Sequence, residues 1–202
     1  MEIKRLVLGY IGVNCYLVST EKAALVIDPG YESAEAEQFL NQNSHKERLI
    51  LLTHAHFDHI GGAEALSQKT GVKIAAGEFD VPDIESGELN RMMFAEIEPF
   101  CVDMPLRADE IITVGDLEIK VIFTPGHTKG GVCFYINGVL FSGDTLFCES
   151  IGRTDFPGGS FETLKESVKM LYSTLPENTP VLSGHGEETT IEHEKRCNPY
   201  IR

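Results

Sequence analysis

The first quarter of the chain sets short apolar runs between polar and glycine punctuation, a β-like pattern. Residues 3–8, 15–19 and 23–27 read as strands, the last closed by Asp28-Pro29-Gly30. Ser33 then stands where a helix N-cap belongs, with Ala34, Glu35 and Glu37 in the first turns of a helix reaching about Leu40. Leu49-Ile50-Leu51-Leu52 is a bounded apolar run of strand length. A helix starting near Asp58 passes through Gly61-Gly62-Ala63 to about Lys69, and residues 72–75 form another strand. From Glu78 to Met104 the pattern loosens, with Pro82, Gly87, Pro99 and Pro105 as punctuation. That is long for a connection inside a compact domain, so residues 78–105, approximately, read as a partly helical functional insertion.

Strands resume over 110–114 and 117–123, joined by Gly115-Asp116, and over 132–136 and 139–141, joined by the hairpin pair Asn137-Gly138. Ser160 caps a helix carrying Phe161, Leu164, Val168 and Leu171 at helical spacing. Residues 180–182 are the last strand, followed by His185 and a short closing helix. With no repeat and no low-complexity linker, residues 1–202 are expected to form one domain, large enough to bury a core without staples.

Composition narrows the function. Apolar residues make up 42% and charged residues 24%, as in soluble globular proteins. Lys plus Arg number 17 against 31 Asp plus Glu, a net charge of -14 that repels phosphate backbones and argues against nucleic-acid binding. An anionic substrate would need a local positive focus. Five cysteines, Cys15, Cys101, Cys133, Cys148 and Cys197, form no C-x-x-C pair, so neither a disulfide framework nor a thiolate zinc site is signalled. A reducing, cytoplasmic setting is expected. Lys4-Arg5 and the apolar stretch behind it faintly resemble a signal peptide. That stretch is short, holds Gly9 and Gly12, and lacks a small-residue cleavage site, so it reads as the first strand. No segment approaches the roughly 20 apolar residues of a membrane span.

The chemistry concentrates in Thr53-His54-Ala55-His56-Phe57-Asp58-His59, which holds three of the seven histidines. Imidazole and carboxylate suit zinc, iron or manganese. His54 and His56, two apart on an extended segment, point the same way. Asp58 and His59 turn the other way as a helix begins, which suggests two adjacent metal positions. Asp28, His127, Asp144 and His185 each follow an apolar run beside glycines that let backbone approach a ligand. Such positions converge beyond the carboxyl ends of strands in layered α/β folds. Taken singly, His127 or His185 reads as structural; within the whole set each reads as a ligand. Asp28 either forms a turn or hydrogen-bonds a ligating group. Cys148 has no base paired with it and reads as a small packed residue. His45 and His193 lie in charged, solvated contexts.

H-x-H-x-D-H, a lone His, a G-D-T Asp and a late G-H-G His together resemble the signature of the metallo-β-lactamase fold superfamily. The match falls on His54, His56, Asp58, His59, His127, Asp144 and His185, and it spans nearly the whole chain. Gly143-Asp144-Thr145-Leu146-Phe147, Ile151-Gly152-Arg153-Thr154-Asp155-Phe156-Pro157-Gly158-Gly159 and the tail from Gly184-His185-Gly186 to Tyr200 are similar to the glyoxalase II-related branch. The resemblance implies an α/β (α+β) fold, a four-layer αββα sandwich with a two-metal site between the sheet edges. It implies that His54, His56 and His127 hold one metal, that Asp58, His59 and His185 hold a second, and that Asp144 bridges them. Two divalent ions about 3.5–4 Å apart share a water and make it hydroxide near neutral pH. That nucleophile would attack a thioester or ester carbonyl polarised by a metal, with Asp58 as the catalytic residue orienting it. Zinc is the first expectation, and iron or manganese accept the same ligands.

The expected partner is a small-molecule thioester or ester such as S-lactoylglutathione, with no nucleic acid, no membrane and an open oligomeric state. Relatives place a basic residue near Arg153 against the glutathione moiety; the other reading of Arg153 is a salt bridge to Asp155. Lys129 either faces the cleft or is a solvated surface lysine. Arg91, Met92, Met93 and Phe94 are expected to wall the pocket. Full-length glyoxalase II resembles this chain plus a helical domain that grips glutathione. Only 17 residues follow His185 here, so looser glutathione selectivity is expected.

The main rival is oxidation by a mononuclear iron persulfide dioxygenase, a related family with a similar Gly-Arg-Thr-Asp-Phe segment that keeps the second-position residues without filling them. Flavodiiron chemistry is disfavoured because His56 stands where Glu is expected and no flavin domain follows. A β-lactamase role is disfavoured by the missing export signal, nucleolytic roles by charge, and a non-catalytic module by the complete ligand set.

Overall fold

The fold is a computed structural model that describes residues 1–93, 95 and 97–201. In chain order its first part comprises β1 (Glu2–Leu8), β2 (Val13–Ser19), β3 (Ala23–Ile27), α1 (Ala34–Gln42), β4 (Glu47–Leu52), α2 (Phe57–Ile60), α3 (Ala63–Thr70), β5 (Ile74–Gly77), α4 (Val81–Ser86), α5 (Glu88–Met92) and β6 (Met104–Leu106). The second part comprises β7 (Ile111–Val114), β8 (Leu117–Phe123), β9 (Val132–Ile136), β10 (Val139–Gly143), β11 (Leu146–Phe147), β12 (Ser150–Ile151), α6 (Phe161–Thr174), β13 (Pro180–Ser183), β14 (Thr189–Thr190) and α7 (Ile191–Cys197).

Six strands in the order β1-β2-β3-β4-β5-β6 form one sheet, antiparallel through β3 and parallel from β3 to β6. A second sheet runs β14-β13-β10-β9-β8-β7, and β11 pairs with β12 apart from both. Strand alternation divides the interior into three cores. Leu49 and Leu51 of β4 join Val132, Phe134 and Ile136 of β9 between the sheets. Ile50 and Leu52 face the other way, onto Leu40, Ala63, Leu66, Ile84 and Leu89 of the first helical layer. Cys133 likewise faces outward, packing with Leu164, Val168 and Leu171 of α6 and Ile191 of α7. The result is four layers, helix-sheet-sheet-helix. Strands buried on both faces explain why β4 reads as an unbroken apolar run.

The predicted caps form: Ser33 accepts from the Ala36 amide and Ser160 from the Thr163 amide. Asn137 and Gly138 both take positive φ, as a tight hairpin turn requires. The helix expected from Asp58 to Lys69 is instead two, α2 and α3. At Gly62 a Cβ would lie 2.4 Å from the Tyr31 carbonyl, so the strand-end loop after β3 crosses there and its Pro29 carbonyl takes the Gly62 amide. Within residues 78–105 the chain forms α4, α5 and the start of β6.

Candidate metal centre

The two sheets meet edge to edge at one end, where Val13 bridges His185 and the Asn14 amide donates to the Gly184 carbonyl over 2.7 Å. Tyr16 Oη adds a bond to the Ser183 carbonyl at 2.7 Å. The carboxyl end of β4 delivers His54 and His56 to this seam, and α2 presents Asp58 and His59. His127 follows β8, Asp144 follows β10 and His185 follows β13. All seven predicted side chains therefore arrive in one place from five separate stretches of backbone.

Three overlapping groups have ligand atoms within 4.8 Å of one another: His54, His56 and His127; His54, His59 and Asp144; and Asp58, His59 and His185. His56 Nδ1 and His127 Nε2 approach to 2.8 Å. Asp144 reaches both ends of the cluster, with Oδ2 3.5 Å from His127 Nε2 and Oδ1 3.2 Å from His59 Nε2. Asp58 Oδ2 lies 3.1 Å from His185 Nε2.

Outer contacts fix which ring nitrogen is free. Asp28 accepts from the Thr53 amide and hydroxyl at 2.8 and 2.7 Å and from His59 Nδ1 at 2.9 Å. Since the Thr53 hydroxyl proton is spent on Asp28, His54 Nδ1 donates to Thr53 Oγ1 at 3.0 Å. His127 Nδ1 donates to the Arg153 carbonyl at 2.7 Å. These bonds leave the Nε2 of His54, His59 and His127 turned inward. His54 Nε2, His56 Nε2, His59 Nε2 and Asp144 Oδ1 are buried with no aligned hydrogen-bond partner. Buried polar atoms rarely stay unpaired, and four in one cluster of nitrogen and oxygen donors fit divalent cations.

Burial pulls the His54 and His127 pKa values down and His56 to about 3, with neighbouring imidazoles adding to the effect on His54 and His56. Burial also opposes charge on His59, but Asp144 and Asp28 outweigh it and hold its pKa well above the ordinary value. Asp144 is held below its ordinary range because His59, His127 and His185 overcome its desolvation. Below pH 6.5 the unfolded chain therefore binds protons that folded His54, His56 and His127 refuse, so stability falls with acidification towards pH 3. Asp80, raised to about 6 by burial, works in the opposite direction, and His59 and His185, both raised by neighbouring carboxylates, oppose the loss only near pH 6.5, where the unfolded imidazoles are still part-protonated. The metal-free protein is expected to lose stability from pH 6.5 to 5, at about 1.4 kcal/mol per pH unit for each net proton. Urea midpoints measured in chelator at the two pH values check this.

The remaining expectations fare differently. Arg153 is exposed, forks onto Asp155 at 2.8 and 2.7 Å and stacks 3.8 Å over the Phe156 ring, so it is the salt bridge that forms. Phe156 in turn meets His56 edge-on, at 5.8 Å between centroids. Lys129 is exposed, with its stem against Gly158. Met92 is exposed, Arg91 bonds the Ser86 carbonyl, and Met93 packs under the first sheet; Phe94 lies outside the described residues. The inserted stretch also supplies a brace. Asp80, fully buried, accepts from the Ala55 amide, and Asn90 Nδ2 donates to the Ala55 carbonyl over 3.0 Å. Neither residue was foreseen. Asp80 at least shared the signal of a carboxylate just past an apolar strand; Asn90 had none.

Cys148 is exposed rather than packed, and slight desolvation of the thiol together with the nearby Glu194 and Glu149 carboxylates raises its pKa. It lies near His193 and Glu194, but the Glu194 carboxylate already takes the Glu149 amide, Thr189 hydroxyl and Asn198 amide group.

Residues 8–185 match the profile of a family described as the Metallo-beta-lactamase superfamily. The Hydroxyacylglutathione hydrolase GloC of Haemophilus influenzae is 37% identical over 195 residues, covering 93% of this chain and 92% of that protein. Among solved structures, the BLEG-1 B3 metallo-beta-lactamase superposes with a TM-score of 0.87 at 37% identity, covering 99% of both chains. TTHA1623 in a di-iron-bound form gives 0.84 at 35% identity, over 98% of this chain and all of that one. ETHE1 from Myxococcus xanthus gives 0.81 at 28% identity, over 98% of this chain and 84% of that one.

Proposed function

The chain belongs to the metallo-β-lactamase superfamily, a family of metallo-hydrolases, and we propose that it hydrolyses a small-molecule thioester, S-lactoylglutathione or a related hydroxyacyl thioester. The observation that carries the reading is one buried cluster in which His54 Nε2, His59 Nε2 and Asp144 Oδ1 lack an aligned hydrogen-bond partner and His56 Nδ1 converges with His127 Nε2 at 2.8 Å. His54, His56 and His127 would hold one cation; Asp58, His59 and His185 would hold the other, with Asp144 shared. Zinc or iron suits that set; two divalent cations supply Lewis acidity toward an acyl carbonyl and a lowered pKa for water.

The chain's own side chains supply the rest. Asp58 is held below the usual carboxylate range because His185 and His59 outweigh its burial. It is therefore an acceptor at neutral pH, able to orient an attacking water and take up its proton at the carboxylate. Phe156, edge-on to His56, places an apolar ring beside the proposed first cation position. A thiolate leaves readily, so no separate acid is required. The five free cysteines suit a reducing compartment, which we take to be the cytoplasm. No helix among the described residues is long and apolar enough to cross a membrane.

The likeness to BLEG-1 supports a second reading, opening of a β-lactam amide at the same centre. Elemental analysis of the purified protein, combined with assays on S-lactoylglutathione, a β-lactam and a persulfide under oxygen, separates the readings. Two cations per chain with thioester turnover is the expected outcome. One iron per chain with oxygen uptake on the persulfide, or turnover of the β-lactam alone, would overturn it.

A further inference from the structure

We propose that Asp80 is the positioning residue of the first cation position, locking the loop of His54 and His56 to the loop of His127. The inference rests on the metal centre proposed above. Asp80 stands at the N-cap of α4, where an aspartate ordinarily accepts from the first amides of its own helix. It makes no such bond. Its carboxylate turns instead to three donors outside the helix: Oδ2 takes the Ala55 amide at 3.0 Å and the Thr128 hydroxyl at 2.7 Å, and Oδ1 takes the Gly130 amide at 2.6 Å.

Each of those donors lies in a loop that carries a proposed ligand. Ala55 separates His54 from His56, Thr128 follows His127 directly, and Gly130 lies three residues after it in the same loop. A single buried carboxylate thus ties together the two loops that carry the first three imidazoles. The approach is close enough that a Cβ on Gly130 would lie 2.1 Å from the Asp80 amide nitrogen. Ala55 is held from its other peptide group as well, since its carbonyl accepts from the buried Asn90 side chain. Both braces come from the same inserted stretch, Asp80 before α4 and Asn90 within α5.

Asp28 provides the contrast. It holds Thr53 and His59, so the two buried aspartates flank His54 and divide the centre between them. Asp28 governs the side of His59; Asp80 governs the side of His56 and His127. Metal affinity depends on outer contacts that orient ligands, and losing one typically costs about 10- to 100-fold. Asp80→Asn keeps the shape but sets an amide N–H against a donor that the carboxylate accepted.

The test is chelator competition on wild-type and Asp80→Asn protein, reading both stepwise zinc constants and the number of cations retained. The first-position constant is expected to weaken about 10- to 100-fold while the second is unchanged, so that one cation is retained where wild type keeps two. Thr128→Val, which removes one of the three donors, is expected to weaken the same constant by a smaller factor, and Thr128→Ser to restore it. Those two variants carry the test if Asp80→Asn does not fold. Wild-type constants at both positions in the variants, or equal weakening at both, would overturn the role of Asp80. A wild-type protein that takes up no cation would overturn the metal centre itself, and this inference with it.

Discussion

His56→Ala is expected to lose the first-position cation and about three orders of magnitude of thioester hydrolysis, with the fold intact. The magnitude follows from what a Lewis acid and one oriented electrostatic donor each contribute to acyl transfer. His56 Nδ1 lies against His127 Nε2 at 2.8 Å, so removing the ring opens the tightest approach in the first trio. Its own Nε2 has no aligned partner, so no other hydrogen bond is broken by the change. The second trio, Asp58, His59 and His185, does not include it. Elemental analysis should therefore find one cation fewer, and circular dichroism should match wild type. Full thioester turnover by this variant would sink the assignment.

Gly30→Ala is expected to be the most damaging single-carbon change to stability, costing about 3 kcal/mol or more. A Cβ there would lie 1.5 Å from the Asp58 carbonyl oxygen, 2.5 Å from its carbonyl carbon and 2.9 Å from Val13 Cγ1. The first two are backbone atoms of α2 and cannot rotate away. Either the loop after β3 or α2 must shift, and α2 carries Asp58 and His59. The variant should show a lower urea midpoint and a weakened second-position cation. A wild-type midpoint with both cations retained would show that the packing here is looser than the geometry states.

The His/Asp cluster was legible in the sequence because its members are written locally, three histidines and an aspartate within six positions and four more polar groups at strand ends. The layered architecture was legible for a related reason: β4 and β9 are buried on both faces and leave unbroken apolar runs. What escaped is what depends on distant backbone. The split between α2 and α3 comes from a crossing loop at Gly62, and helical periodicity is silent about such crossings. β6 carries Pro105, which argues against a strand, yet it lies at the sheet edge where proline is tolerated. β14 has two residues, too few to show a period. Asp80 and Asn90 find their partners only after folding, and so the support that the inserted stretch gives to Ala55 left no mark in the sequence.

Each proposed cation position would draw on both sheets. His54 and His56 come from the strand system of β4 and His127 from that of β8, just as Asp58 and His59 answer to His185 across the seam. On that assignment neither half of the polypeptide would hold a complete coordination set by itself. Cation uptake should then act as a late rivet in the folding sequence: tight binding becomes available only once the halves have docked, and chelation should ease their separation more than it loosens either one alone.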